Sequence, residues 1–301
     1  MKIPFVDIKR NQEPLKKEIF AAIEKIVDTT QYILGPAVEQ FEQAFATYCG
    51  KKNCVGVSNG TSALELALRA YNIQAGDEVI TTPNTFFSGA SVINLIGATP
   101  VFVDVEENSN NMDPEQAAKV ITKKTKAIIV THLYGRPANM EAFLALGKKH
   151  NITIIEDCAQ AHGATYKGKK LPYGETGCFS FYPGKNLGSW GDGGAVVTDN
   201  QAIAERIKSL RNFGGSFRAY QHNEIAGNNR LQPVQAAVLN VKLKHLDTWV
   251  QERRRKAAYY DQHLKNIITI PTPTTNGEHA YYVYCIETEQ RDALQTYLET
   301  Q

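Results

Sequence analysis

The amino-acid sequence predicts an α/β fold: a large domain on a mostly parallel central sheet flanked by helices, followed by a smaller α/β domain. Two features carry this prediction. Short apolar runs rich in β-branched residues alternate with stretches of helical period, and each run reads as a strand buried on both faces. With 301 residues the chain is long enough for one large core and a smaller partner.

Taken in order, Pro36 after Gly35 suits a first helical position, and Val38, Phe41, Phe45 and Tyr48 then recur on one face of an amphipathic helix. "EVITT" (78–82), "TPVFVDV" (99–105), "KAIIVTHL" (126–133), "ITIIEDC" (152–158), "CFSFY" (178–182) and "GAVVTD" (194–199) read as strands. Between them "TSALELALRAYN" (61–72), "PEQAAKVI" (114–121), "MEAFLALGKKH" (140–150) and "NQAIAERIKSLR" (200–211) read as helices. Residues 211–229 are polar and glycine-containing and read as a mobile loop. One long helix is expected from near Gln232 to residue 264, and the tail beyond it reads as strand, turn, strand and helix. The expected division is 1–245 for the large domain, its N-terminal helix packing on the small domain, and 246–301 for the small one.

Composition narrows the function. Net charge is +2, with Lys and Arg scattered and not gathered in a block, so the footprint of a nucleic-acid binder is missing. The five cysteines, Cys49, Cys54, Cys158, Cys178 and Cys285, are odd in number and lack CxxC spacing, which argues against a disulfide framework and against a zinc site. The first residues form no apolar signal core and no run is long enough to span a membrane, so the cytoplasm is the expected location.

Sheets of this kind bind ligands at the carboxyl ends of their strands, and three stretches fall there. In "SNGTSALELAL" (58–68) a glycine and two hydroxyls lead into a helix; free N–H groups and the helix dipole make a phosphate cradle, with Thr61 and Ser62 adding donors. A plain helix cap at Thr61 or Ser62 explains that motif equally well. In "IIEDCAQAHGA" (154–164) a strand runs into two acids: Asp157 is placed to meet a ligand, Glu156 to face the other side of the sheet. Capping of the next turn is the other role open to Asp157, and His162 reads as structural.

The third stretch is "FSFYPGKNLGSWGDGG" (179–194). It lacks the glycine and the Ser/Thr of a phosphate-binding P-loop and the third glycine of a dinucleotide fingerprint. What remains is Lys185 in a turn beside aromatic residues, where desolvation favours the neutral, nucleophilic amine, the form that makes a Schiff base. A Schiff-base lysine, a strand-end aspartate and a phosphate cradle are together what pyridoxal 5'-phosphate requires, because a buried acid keeps the pyridine nitrogen protonated. "TPNTFFSGA" (82–90) offers Phe86 to cover the ring; placement in the core is the competing expectation for at least one of Phe86 and Phe87.

These stretches, together with "QYILGPAVEQFEQAFATYCG" and "NNRLQPVQAAVL", resemble the DegT/DnrJ/EryC1/StrS family of sugar aminotransferases, fold-type I enzymes dependent on pyridoxal phosphate. The likeness covers nearly the whole chain in order. It implies Lys185 as the Schiff-base lysine, Asp157 at the pyridine nitrogen, Gln160 near the ring hydroxyl, and Gly60, Thr61 and Ser180 at the phosphate. It further implies a homodimer in which Asn228 reaches the phosphate of the other subunit's site. Glutamate is the implied amino donor and C3 of a nucleotide-linked 3-keto sugar, such as a dTDP-3-keto-6-deoxyhexose, the implied acceptor. C4 amination of a UDP- or dTDP-4-keto sugar and a non-catalytic, regulatory cofactor-binding protein are the alternatives. The chain departs from the family pattern in two places: Gln232 and Pro233 follow Leu231 where the family carries an acid, and family chains continue past residue 301 with segments that finish the small domain, so that 246–301 reads as an incomplete domain, either truncated or ending early.

Overall fold

The structure, a computed structural model, describes residues 4–216 and 220–301. The chain opens with α1 (Ile8–Gln12), a 3-10 turn at Glu13–Leu15, α2 (Lys16–Thr29) and α3 (Pro36–Cys49). Pro36 occupies the first turn of α3, and the expected face is buried through Val38, Phe41 and Phe45. There follow β1 (Asn53–Val57), α4 (Gly60–Ala70), β2 (Glu78–Thr81), α5 (Ser88–Leu95), β3 (Thr99–Phe102), α6 (Pro114–Lys119), β4 (Thr125–Thr131), α7 (Met140–His150) and β5 (Thr153–Asp157). A small hairpin, β6 (Thr165–Tyr166) and β7 (Lys169–Lys170), precedes β8 (Thr176–Ser180), β9 (Gly194–Thr198) and α8 (Gln201–Leu210). The last part comprises β10 (Gly215–Ser216), β11 (Gln221–His222), α9 (Pro233–Leu243), α10 (Leu246–Leu264), β12 (Gly277–Glu278) and α11 (Arg291–Thr300).

The seven-stranded sheet runs β1-β9-β8-β5-β4-β2-β3, with only β9 antiparallel to its neighbours. Alternation along the strands sends side chains to two separate cores. Ile128 and Val130 join Phe41, Phe45, Phe143 and Phe179 on one face; Ala127, Ile129, Ile155 and Cys178 join Leu64, Leu68 and Ile207 on the other. Burial on both faces explains why the strands read as continuous apolar runs. Among the described residues no helix is long and apolar enough to cross a membrane.

Several expectations are corrected. β1 and α5 were not expected from the sequence: "NCVGV" and "SGASVINL" carry Asn, Gly and Ser, which weaken local preference, and tertiary burial overrides it. Gly56 in β1 has a packing reason, since a Cβ there would lie 2.8 Å from Leu231. The single long helix is two. α9 is buried nearly all round, whereas α10 buries only Leu246, Val250 and Ala257, and the break at Lys244–His245 lets the chain leave the core. Beyond residue 264 the expected strands shrink to β12 and an isolated bridge between Thr269 and Glu287. The polar loop contains the β10–β11 hairpin, and residues 217–219 lie outside the described residues. α2 packs on α9 through Leu15, Ile19, Val238 and Val241, with Trp249 of α10 beside them.

Candidate active site

β5 and β8 are adjacent and parallel, and they deliver the first two side chains. Ile155 and Cys178 belong to the α4-side core, so by the two-residue period Asp157 and Ser180, each the last residue of its strand, project toward that same side. Glu156 takes the opposite face, as expected. There it meets Nε2 of His132 at 2.9 Å and accepts the N–H groups of Tyr173 and Gly174. His132 Nδ1 accepts the N–H of Ala138, so the ring proton sits on Nε2 and is donated to Glu156. The cluster of His132, Glu156 and Cys158 thus spends both ring nitrogens and both carboxylate oxygens within the protein.

Asp157 is 6% exposed and accepts the N–H of Ala159 at 3.0 Å, and among the described residues no salt bridge neutralises it. Burial pushes its carboxyl up from the ordinary value, while the Ala159 bond and the charge of Lys185 pull back. Burial lowers Lys185, and the charge of Asp157 opposes that. The two groups therefore feel each other across the site. The main-chain N–H of Lys185 donates to Tyr182 O, closing a turn so tight that a Cβ on Gly188 would stand 2.4 Å from Pro183 O.

α4 begins beside Ser180: a Cβ on Gly60 would lie 2.7 Å from the Ser180 Cβ. Asn59, and neither Thr61 nor Ser62, caps the helix, accepting the N–H of Ser62 at 2.8 Å. The Ser62 hydroxyl is already engaged, with Ser58 at 2.8 Å and Asn229 at 2.9 Å, so it ties the 228–230 segment to α4. Thr61 stays half-buried beside Gly60. Gln160 is fixed by accepting the N–H of Tyr134 at 2.8 Å, which leaves its amide N–H groups to other partners. His162 is fully buried against Phe179 and Phe181, and burial, reinforced by Lys185, drives its pKa down to about 3: a structural, neutral ring, as expected. Phe86 and Phe87 are 71% and 76% exposed, which overturns the expectation that one of them lies in the core; both precede α5 on the open side of the sheet's carboxyl edge. Asn228 is exposed, bridged to Asn212.

A model of the DegT/DnrJ/EryC1/StrS aminotransferase family matches residues 13–301. The chain belongs to this family. It is 43% identical over 301 residues to a dTDP-3-amino-3,4,6-trideoxy-alpha-D-glucose transaminase of Streptomyces venezuelae, covering 99% of this chain and 79% of that protein. It is 46% identical to a dTDP-3-amino-3,6-dideoxy-alpha-D-galactopyranose transaminase of Aneurinibacillus thermoaerophilus, covering 99% and 83%. The crystal structure of S. venezuelae DesV in complex with a ketimine intermediate superposes with a TM-score of 0.97 at 43% identity, covering 99% of this chain and 81% of that one.

The aminotransferase depends on pyridoxal 5'-phosphate, and the residues present fit that group. A buried carboxylate without a salt-bridge partner suits a ring N–H⁺. A helix N-terminus against which even a methyl group would clash suits close approach of a phosphate to backbone N–H groups. A lysine with a depressed pKa suits an aldehyde.

Sequence reasoning missed a strap formed by residues 279–284. Its signal was the aromatic run "HAYYVY", which read as a strand. Ala280 N–H donates to Gly135 O at 2.9 Å, and Tyr282 N–H to Tyr134 O at 2.9 Å. From α10, Arg253 donates to the carbonyls of Tyr281 and Tyr282, and Arg254 to that of His279. The strap and the N-terminal segment wall a cavity of about 680 Å³, which Lys185 enters together with Arg10, Trp249, Arg253 and Tyr282. Asp157, Gly60 and Ser180 do not line this cavity.

Proposed function

We propose that the aminotransferase moves the amino group of glutamate to C3 of a dTDP-linked 3-keto-6-deoxyhexose in amino-sugar biosynthesis, using Lys185 and Asp157. The carrying observation is the convergence of a depressed lysine, an unneutralised buried aspartate and a helix N-terminus at one carboxyl edge. The choice of a C3 acceptor rests on the two transaminases above, both named for 3-amino products.

When bound, pyridoxal phosphate supplies an electron sink for the bond broken at the amino-bearing carbon. Gly60, Thr61 and Ser180 hold the phosphate, and Ser62 supports them by fixing α4. Asp157 keeps a proton on the ring nitrogen. Gln160 donates its amide toward the ring hydroxyl, and Phe86 covers the ring face. Lys185, once free, would take up the proton from the substrate carbon as general base; its lowered pKa raises the share of neutral amine able to do so. With glutamate and a panel of dTDP- and UDP-linked 3-keto and 4-keto sugars, the product expected by mass and NMR is a dTDP-linked 3-amino sugar, with 2-oxoglutarate released. Amination at C4 would overturn the positional assignment, and no 2-oxoglutarate with any acceptor would favour a regulatory cofactor-binding protein.

The same reading makes the protein a homodimer of two-domain chains, divided at 245/246, acting in the cytoplasm, where unpaired cysteines such as these five are stable. The cofactor side is open in the single chain: Phe86, Phe87, Tyr182 and Ile225 are exposed there or on the 211–229 loop. A second copy covers this side and contributes Asn228 to the phosphate. Mixing equal amounts of Lys185→Ala and Asn228→Ala chains after dissociation is expected to regenerate about a quarter of the wild-type sites, since half the dimers are hybrids with one intact site each. No recovery in the mixture would refute shared sites.

A further inference from the structure

The Lys185 ammonium nitrogen lies 4.2 Å from the centre of the Tyr282 ring, in cation–π contact. We propose that Tyr282 is a positioning residue for Lys185: its ring face holds the amine whenever the lysine is not bonded to the cofactor, and keeps it where the cofactor's aldehyde arrives.

The ring can do this because its backbone is fixed from three sides. Tyr134 is the first. It has a left-handed φ of 59°, its N–H held by Gln160, and its carbonyl accepts Tyr282 N–H at 2.9 Å and Val283 N–H at 3.3 Å. The strap comes this close only because residue 135 is glycine: φ is +94°, and a Cβ would lie 3.2 Å from Tyr282 N. Arg253 is the second, donating to the Tyr282 and Tyr281 carbonyls. Asn186, the residue after Lys185, is the third, its amide donating to Ala280 O at 3.0 Å. The strap is therefore tied on one side to Gln160, at the cofactor, and on the other to the lysine's own turn.

Without such a surface a released lysine with four rotatable bonds would sample the whole cavity of about 680 Å³. The charged and titratable groups around the pair are Asp157 at the end of β5, the neutral His162, Lys242 from α9, Arg253, Glu252, Lys256 and Tyr260 from α10, Asp7 and Arg10 from the N-terminal segment, and the phenols of Tyr182, Tyr281 and Tyr284. The charge of Asp157 raises Lys185, and the ring face is a second group that favours the ammonium.

This inference rests on the assignment of Lys185 as the cofactor-bonding lysine, and the experiment separates the two. Full-length chain stripped of cofactor is mixed with excess pyridoxal 5'-phosphate, and the yellow absorption is followed from about pH 6 to about pH 10. Capture requires the ammonium to release a proton to solvent; one C=N bond then forms and the aldehyde oxygen leaves as water. In Tyr282→Leu the limiting capture rate on the alkaline plateau is expected to fall about tenfold through lost orientation. The pH midpoint is expected to move down by about half a unit to one and a half units, because the ring no longer favours the ammonium. Tyr282→Phe keeps the ring and both wild-type values. The concentration of cofactor that half-saturates the rate stays unchanged in both variants, since cradle and Asp157 are intact. A midpoint that stays or rises in Tyr282→Leu, or a Tyr282→Phe variant as impaired as Tyr282→Leu, overturns the role of Tyr282. A Lys185→Ala chain that still turns yellow overturns the lysine assignment instead.

Discussion

Lys185→Ala is expected to emerge from purification without the yellow absorption of the wild type and to lose turnover by at least about 10⁴-fold. In the proposed function the side chain has two tasks in one place: it bonds the cofactor and it moves the substrate proton. Among the described residues the other lysines lining the cavity are Lys256, exposed on α10, and Lys242. Lys242 enters the same cavity with a pKa lowered to about 8, but its ammonium is committed to the Gly188 carbonyl. The Gly60 and Ser180 cradle and Asp157 are untouched by the substitution, so the variant should still bind pyridoxal phosphate without bonding it, as dialysis and phosphate analysis would show. An unchanged absorption spectrum would sink the assignment.

Asp157→Asn is expected to retain the yellow absorption and to lose about 10²–10³-fold in turnover, the size of effect seen when a placed electrostatic stabiliser is removed. The amide cannot hold a proton on the ring nitrogen, so the sink loses its pull. Near-normal turnover would refute the role. The same substitution has an opposite effect on folding. Burial raises the carboxyl's pKa in the folded chain above its unfolded value, so proton binding favours the folded state. The wild type therefore loses stability as pH rises from the ordinary carboxylate range through the raised folded value. Asparagine never ionises and carries no such loss. Thermal melting of the cofactor-free chain should give a higher Tm for Asp157→Asn at neutral pH, with the difference shrinking on acidification. A variant less stable than wild type at neutral pH would mean that the Ala159 bond or an unseen partner outweighs desolvation.

Much of this was legible in the sequence. The strand runs stood out because a parallel sheet buries both faces, and that leaves no polar position to interrupt them. Asp157 was separable from Glu156 by the two-residue period alone, and the His132 contact bears out where Glu156 went. The lysine turn announced itself by its glycines, of which Gly188 and Gly194 are demanded by close backbone approach, to Pro183 O and Asn59 O. Other parts were not legible. Nothing in "SNGTS" says that Asn59 is the cap and that Ser62 turns inward to Asn229, since Asn, Ser and Thr all suit either role and the loop that decides is 167 residues away. At least one of Phe86 and Phe87 read as core, yet both are exposed.

By itself the sequence determined the order and type of most large-domain elements and the residue types that point to the chemistry: local periodicity and turn geometry are properties of short stretches. Only the tertiary structure decided where α9 stops, that Asn59 and not Thr61 or Ser62 caps α4, and that "HAYYVY" becomes a strap with Tyr282 over the lysine. Those outcomes depend on main-chain groups far apart in the chain satisfying one another, and a carbonyl or an N–H is the same in every residue that carries it.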